Sequence, residues 1–242
     1  MKILALDTAT ESCSAALLLD GRLLQREQRL ERGHAEAILP MVDALLGEGG
    51  IALSALDAIA FGRGPGAFTG VRLAASVTQG LAFGARLPVV PVSDLQALAQ
   101  RSLDEDRALG RVLVCTDARM HEVYWACFER SSEGIARTHG EERVGPPSEV
   151  RLPCDWGALG SPASRQLPAP GRLAGVGSGF AAYPELRTAL VLDEVRVDLL
   201  PRAAEIARLA VPAVAAGRFL APEQALPVYL RDDVTRAAPR SS

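Results

Sequence analysis

The sequence predicts an α/β protein of two related lobes, and three observations support that fold class. Apolar strands and amphipathic helices alternate through the first hundred residues, which is typical of a mixed sheet covered by helices. A strand, an aspartate, a polar turn and a second strand occur at Asp7 and again at Asp117, which indicates a duplicated unit. A chain of 242 residues, 48% of them hydrophobic, is long enough to form two small cores.

The first lobe is expected to begin with a meander of three strands. Strands are expected at residues 2–7, 13–19 and 22–30, and Asp20-Gly21 is a strong signal for a two-residue hairpin turn between the second and the third. An amphipathic helix over His34 to Leu46 should follow, because its apolar residues recur at spacings of three and four.

The remaining elements of both lobes follow from the same patterns. Pro40 predicts a kink in the first helix or a restart of that helix, and Ser93 with Gln96 forms a capping-box pattern. The other predicted elements are a strand at 57–61, a helix at 69–84, a strand at 88–92, a hairpin at 111–128, an irregular loop at 145–170, a strand from 173 into a Gly turn, a helix from Pro201 to about Gly217, and a short strand or ordered tail at 227–234.

Composition excludes several classes of function. Lys2 is the only lysine among 26 basic residues, so the chain has no Walker A loop and no catalytic lysine in its body. A net charge of −3 argues against a free-standing nucleic-acid-binding protein, and no apolar run approaches the ~20 residues of a membrane span. We expect a cytoplasmic protein whose four cysteines are buried free thiols.

Two turns are candidate nucleotide-binding sites. Asp7 ends the first strand and precedes Thr8, so the turn offers a carboxylate and a hydroxyl to Mg²⁺ and phosphate. The GRGPGAFTG turn places Gly64 and Gly66 before a helix, where backbone N–H groups suit an anion. Each turn also has a structural interpretation: an Asx turn at Asp7, and close packing at the glycines. The residues alone leave these alternatives open.

The helix after the glycine-rich turn has a surface of mostly small residues. Because Gly in a helix costs about 0.5–1 kcal/mol relative to Ala, this composition indicates a packing requirement, either inside the protein or against a partner helix. The helix at 34–46 is apolar over a broad face, so we predict that the two helices form a protein interface. Its candidate residues are His34, Ile38, Met41, Val42, Leu45, Gly70, Ala74, Val77, Thr78 and Leu81.

The sequence contains no pattern that predicts catalysis or metal binding. The histidines His34, His121 and His139 lack the spacing of metal ligands, and His34 with Glu36 is typical of a capping or surface pair. No Ser–His–Asp arrangement stands out. We therefore predict no catalytic residue and no metal site in this chain.

Several segments together resemble the TsaB (YeaZ) family, bacterial paralogues of TsaD/Kae1 proteins in the actin-like (ASKHA) superfamily. They are LALDTATESCSAAL (4–17), HAEAILPMVDALL (34–46), DAIAFGRGPGAFTGVRLAASVTQGLAF (57–83), PVVPVSDLQALA (88–99), DARMHEVYWA (117–126) and PVYLRDD (227–233). The resemblance spans nearly the whole chain, and the GRGPGAFTGVR and DAR-x-x-EVYWA patterns are specific.

The resemblance implies an actin-like architecture. It implies an N-terminal lobe at 1–103 and a reduced C-terminal lobe at 104–242, each with a mixed sheet and flanking helices. The last ~20 residues are expected to pack back on the first lobe. TsaD-like proteins hold a metal through two histidines, and Asp94 and Leu98 stand at those positions here. Since Leu cannot ligate a metal, the resemblance implies that this site is absent.

The resemblance also implies a function in making N6-threonylcarbamoyladenosine (t6A) at position 37 of tRNAs that read ANN codons. It implies a non-catalytic subunit that binds and activates TsaD, is joined by the ATPase TsaE, and forms a homodimer without TsaD. ATP and Mg²⁺ would be used by the complex, and tRNA would be contacted only through it. The alternative is a free-standing actin-like ATPase or kinase that uses the Asp7 turn and the Gly64–Gly66 loop.

Overall fold

The computed structural model describes residues 1–156 and 171–231, and its strands form two five-stranded sheets. The first sheet has the order β3-β2-β1-β4-β5. Its strands are β1 (Lys2–Asp7), β2 (Ser12–Leu19), β3 (Arg22–Arg29), β4 (Ala58–Gly62) and β5 (Val89–Val92). The helices of this half are α1 (His34–Gly49), α2 (Phe68–Ala85) and α3 (Asp94–Glu105).

The second sheet has the order β10-β9-β6-β7-β8. Its strands are β6 (Leu109–Asp117), β7 (Val123–Arg130), β8 (Ala136–Gly145), β9 (Arg172–Val176) and β10 (Glu194–Arg196). The helices of this half are α4 (Gly179–Ala182), α5 (Glu185–Ala189) and α6 (Ala203–Ala215). We call the two sheets with their covering elements the first and second lobes.

The two sheets share one topology, which confirms the duplication predicted from the sequence. In each sheet the first strand pairs antiparallel with the strand after it, and parallel with a strand reached by a longer connection. Asp7 ends β1, and Asp117 ends β6, the matching strand of the second sheet. The chain is therefore a two-lobed α/β protein, as expected.

Two helices, α3 and α6, lie between the sheets, and each packs on the sheet of the other lobe; we call them the exchanged helices. The α3 helix follows the first sheet, yet Leu95, Leu98 and Leu103 pack into a cluster with residues of the second sheet. The α6 helix follows the second sheet, yet Ile206 and its neighbours pack against Ile3 and the alternate residues of the first sheet. The opposite face of the first sheet is covered by α1 and α2.

Most local predictions are confirmed. Asp20 and Gly21 have positive φ angles of 46° and 92°, as a two-residue hairpin turn requires. The α1 helix runs on to Gly49 and is capped by Gly50 in the left-handed conformation. Pro40 lies inside α1 and neither ends nor restarts it, because the buried side of the helix holds it against the sheet.

Other local predictions need correction. The α6 helix begins at Ala203, so Pro201 lies before it and not in its first turn. At α3 the Ser93 hydroxyl caps the helix as predicted, but the Gln96 side-chain amide donates to the Ala136 carbonyl (2.8 Å) and does not complete a capping box. Cys154 is exposed, whereas the other three cysteines are buried free thiols.

The predicted irregular loop and the predicted tail lie partly outside the described residues. Within the predicted loop, short 3₁₀ turns occur at Pro147–Glu149 and Cys154–Trp156, and residues 157–170 are outside the described part. The predicted tail has no regular secondary structure up to Arg231, and residues 232–234 also lie outside. None of the described helices is long and apolar enough to cross a membrane.

Candidate functional site

A cleft of about 1020 Å³ separates the two lobes, and the predicted nucleotide-binding turns lie along it. The first lobe contributes residues 8–11, 30–36 and 65–71 to its walls. The second lobe contributes residues 116–119, and the C-terminal segment contributes residues 228–231. The volume is about that of a small-molecule site. What the cleft can bind therefore depends on which polar groups of the two turns are free of internal hydrogen bonds.

The Asp7 turn is tied to its own backbone. Asp7 is fully buried, and its Oδ1 accepts a hydrogen bond from the Ala9 backbone N–H (2.8 Å). The Thr8 hydroxyl donates to the Gly70 carbonyl (2.7 Å). The His34 ring Nε2 lies 2.9 Å from the Thr10 carbonyl oxygen, so this histidine packs on the same turn. These groups have the arrangement of an Asx turn rather than of an open phosphate site.

Asp7 forms a buried pair with Asp94, which the sequence analysis identified only as standing at a lost metal-ligand position. Asp94 Oδ2 accepts from the Gly64 backbone N–H, and both carboxyl groups lie against Gly62, where a Cβ would come within 2.4 Å of Asp94 Oδ1 and 2.9 Å of Asp7 Oδ1. Asp7 Oδ2 and Asp94 Oδ1 are buried and have no hydrogen-bond partner among the described residues, so two ionised carboxylates here would repel each other without a compensating donor.

Burial dominates the ionisation of this pair. It raises the pKa of Asp7 from 3.8 to about 6, against the opposing effect of the Ala9 N–H hydrogen bond. It also raises the pKa of Asp94 well above its usual value, and the charge of Asp7 adds to that effect. Both carboxyls of this buried pair therefore keep their protons to a higher pH than exposed aspartates do.

The glycine-rich loop is packed against the Asp7 turn. A Cβ on Gly66 would come within 2.6 Å of the Ala9 carbonyl oxygen, and the Ala67 N–H donates to that oxygen (2.7 Å). The Gly64 N–H is already bonded to Asp94, and Pro65 has none. Because the backbone donors at 64, 65 and 67 are bonded internally or missing, the close-packing interpretation of the glycines fits better than an anion site.

The ten residues predicted for the protein interface lie in two environments. Five are buried in the first lobe: Ile38, Val42, Leu45, Ala74 and Thr78. Five are half-buried: His34, Met41, Gly70, Val77 and Leu81. The buried five complete the lobe's own interior, so only the half-buried residues reach the surface of these helices.

The exposed face of α1 and α2 carries residues that the sequence analysis did not select. Leu39 is 48% exposed and Phe83 is 77% exposed. A Cβ on Gly80 or Gly84 would meet no atom within 4 Å, whereas a Cβ on Gly70 would lie 2.1 Å from the Thr8 carbonyl oxygen. Of these three glycines of α2, Gly70 alone is thus required by internal packing. The exposed residues Leu39, Gly80, Phe83 and Gly84 could have been found from the sequence by their position around the helix, because they lie outside the apolar stripe that each helix buries.

The repeated sheets facing each other across a cleft define a two-lobed α/β protein built from a duplicated unit. A family model described as "TsaD: tRNA N6-adenosine threonylcarbamoyltransferase" matches residues 28–232. An Escherichia coli protein described as "tRNA threonylcarbamoyladenosine biosynthesis protein TsaB" is 42% identical, with 97% of this chain and 96% of that protein covered. A Haemophilus influenzae protein of the same description is 37% identical, with coverage of 97% and 95%.

Solved structures agree with these relatives. A solved structure described as "YeaZ from Pseudomonas aeruginosa" has a TM-score of 0.84 and 47% identity, with 95% of this chain and 99% of that chain covered. The chain belongs to the TsaB (YeaZ) family, whose curated members are named for the biosynthesis of threonylcarbamoyladenosine in tRNA.

Proposed function

We propose that this chain is a non-catalytic subunit that binds and activates the TsaD transferase, which forms t6A at position 37 of tRNAs that read ANN codons. The observation that carries this proposal is the exposed face of α1 and α2. It presents apolar side chains beside glycines that have no packing role within the described part of the chain.

The energetics of α2 favour a partner helix. Gly80 and Gly84 each cost about 0.5–1 kcal/mol relative to Ala, and no atom near them requires the missing Cβ. Ser76, Gly80 and Gly84 are each four residues apart, and residues at this spacing line up as one ridge along the surface of a helix. A ridge of small residues lets a second helix approach closely, and Phe83 beside it would be buried by that contact.

The cleft supports a non-catalytic function. Asp7, Gly64 and Gly66 are engaged in internal contacts, and Leu98, at a position where TsaD-like proteins hold a metal, is buried among apolar side chains. The described residues contain no group of three side chains that could hold a metal ion.

We further propose the assembly in which this function operates. The chain pairs with TsaD as a heterodimer, the TsaE ATPase joins the pair, and the same helical face forms a homodimer when TsaD is absent. ATP and Mg²⁺ are used by the complex, tRNA is contacted only through it, and the assembly works in the cytoplasm.

Reconstitution tests this proposal. Purified TsaD, TsaE, ATP, threonylcarbamoyl-AMP and tRNA are mixed with and without this chain, and t6A is measured by mass spectrometry of digested tRNA. We expect modification only when the chain is present. Equal t6A yields without it would overturn the proposal.

A variant separates the interface from the fold. Gly80→Arg adds bulk and charge to the open ridge of α2, and we expect it to fold and to lose both co-purification with TsaD and t6A formation. Ser132→Arg, a matched change at an exposed turn of the second lobe, should keep both. Retention of TsaD by Gly80→Arg would refute the proposed surface, even if t6A formation still depends on the chain.

The alternative is a free-standing actin-like ATPase or kinase, and the volume of the cleft is the observation that favours it. Calorimetry with Mg-ATP on the isolated chain distinguishes the two functions. Tight binding that Asp7→Ala abolishes would support the alternative, whereas the internal contacts of Asp7 lead us to expect no binding.

A further inference from the structure

The C-terminal segment 225–231 runs along the cleft from the first lobe to the second. Ala225 is fully buried in the first lobe, and its carbonyl accepts from the Gln79 side-chain amide (3.0 Å). The Val228 backbone N–H donates to the Arg63 carbonyl (2.8 Å), at the start of the glycine-rich loop. This end of the segment is therefore fixed to the first lobe by backbone hydrogen bonds.

Tyr229 strengthens the attachment at the N-terminus of α2. Its ring centroid lies 6.2 Å from that of Phe68. The Arg72 guanidinium lies 3.2 Å from the Phe68 ring centroid and 5.2 Å from that of Tyr229. Stacked aromatic and guanidinium groups of this kind attract one another beyond their burial of surface.

Arg231 attaches the segment to the second lobe. Its Nε donates to Glu122 Oε2 (2.9 Å), and its Nη2 donates to the same oxygen and to the Ala118 carbonyl (3.2 Å). Ala118 and Glu122 close the turn between β6 and β7, because the Ala118 N–H donates to the Glu122 carbonyl (2.9 Å). One guanidinium therefore holds both ends of this turn.

The turn has a conformation that needs support. Arg119, Met120 and His121 have φ angles of 61°, 53° and 59°, so three successive residues with a Cβ are in the left-handed region. Such residues stay there only when surrounding contacts hold them. The three contacts of Arg231 with the ends of the turn are suited to do so.

We propose that residues 225–231 form a strap that sets the angle between the two lobes. While Arg231 holds Glu122, the turn stays in its left-handed conformation and the cleft keeps its present width. When Arg231 detaches, the turn relaxes and the lobes separate by bending about the exchanged helices α3 and α6. The strap has no regular secondary structure, so its release disrupts no sheet and no helix.

Amide hydrogen exchange on the full chain tests the strap. Glu122→Gln keeps the shape of the side chain and removes its charge, so we expect the amides of Ala118 and Glu122 to exchange at least tenfold faster. Glu48→Gln is the matched control, because it removes the carboxylate that Arg26 contacts within the first lobe, away from the strap and from α3 and α6. Unchanged exchange at the turn, or an equal increase in β1, would overturn the proposal.

Distances between the lobes provide the second measurement. Spin labels are attached at Ser54→Cys and Glu185→Cys, two exposed positions on different lobes, in a Cys154→Ser background. With Arg231→Ala we expect a broader distribution shifted to longer distances, and we expect the charge-swapped pair Glu122→Arg with Arg231→Glu to restore the narrow one. Superimposable distributions for Arg231→Ala and the parent would refute the strap.

Discussion

Replacing Asp7 by Asn at the base of the cleft is expected to stabilise the protein above pH 6. Asp7 is fully buried, and burial raises its pKa from 3.8 to about 6. An Asn side chain keeps the oxygen that accepts from the Ala9 N–H, and its amide can donate to Asp94. The variant thus preserves the hydrogen bonds and removes a buried charge.

The magnitude follows from the pKa difference between the folded and unfolded states. A folded-state pKa of about 6 against 3.8 is a difference of about 2 units, and each unit corresponds to about 1.36 kcal/mol. Between these two pKa values the folded state binds more protons, so its stability falls as the pH rises from 3.8 through 6 and then levels off. The ionised Asp7 therefore costs about 3 kcal/mol at pH 8.

Urea unfolding between pH 4 and pH 8, followed by tryptophan fluorescence, measures this cost. We expect Asp7→Asn to have nearly the parent's free energy of unfolding at pH 4 and to exceed it by about 3 kcal/mol at pH 8. Asp43→Asn, at an exposed position, should show no such pH dependence. A variant no more stable than the parent at pH 8 would show that Asp7 is not a destabilising buried charge.

Three further predictions concern packing and exposure. In urea unfolding, Gly66→Ala should lower the free energy of unfolding by about 1–3 kcal/mol, because the new Cβ would lie 2.6 Å from a backbone oxygen. Gly80→Ala should raise the free energy of unfolding by about 0.5–1 kcal/mol, because no atom lies near its Cβ. Equal effects of the two substitutions would contradict this prediction. Ile38→Arg should abolish folding by circular dichroism, while Leu39→Arg should fold and lose association with TsaD in co-purification. A thiol reagent should modify Cys154 alone in the native protein and all four cysteines in denaturant, and rapid native modification of a second thiol would be contrary to the burial seen here.

The repeated fold could be predicted because its signals are local. Each copy of the strand–Asp–turn–strand segment contains the residues that determine its hairpin, so Asp7 and Asp117 already mark equivalent strand ends. The α1 helix was also predicted from its periodicity, and α2 drew attention through its small residues. The side that these helices expose was not predicted, because the strongest apolar stripe of a helix is used first for its own lobe, as Ile38 and Val42 show.

The buried pair could be predicted only after the strand order is known. Asp7 and Asp94 are 87 positions apart: Asp7 ends β1, Asp94 begins α3 just after β5, and β4 lies between these two strands. Since β1, β4 and β5 are parallel, their carboxyl ends meet at one edge of the sheet. Gly62 ends β4 there, and a Cβ on it would come within 2.4 Å of Asp94 and 2.9 Å of Asp7. The glycine thus leaves the space in which the carboxyls meet.

The exchange of α3 and α6 makes the two halves of the chain interdependent. A fragment ending at residue 105 would carry α3 without the sheet that Leu95 and Leu103 cover, and it would leave Ile3 without Ile206. The complementary fragment would lack α3 over its own sheet. Each fragment alone would therefore expose an apolar layer and aggregate. Produced together, the two fragments would fold as a split protein, because α3 of one would cover the second sheet and α6 of the other would cover the first.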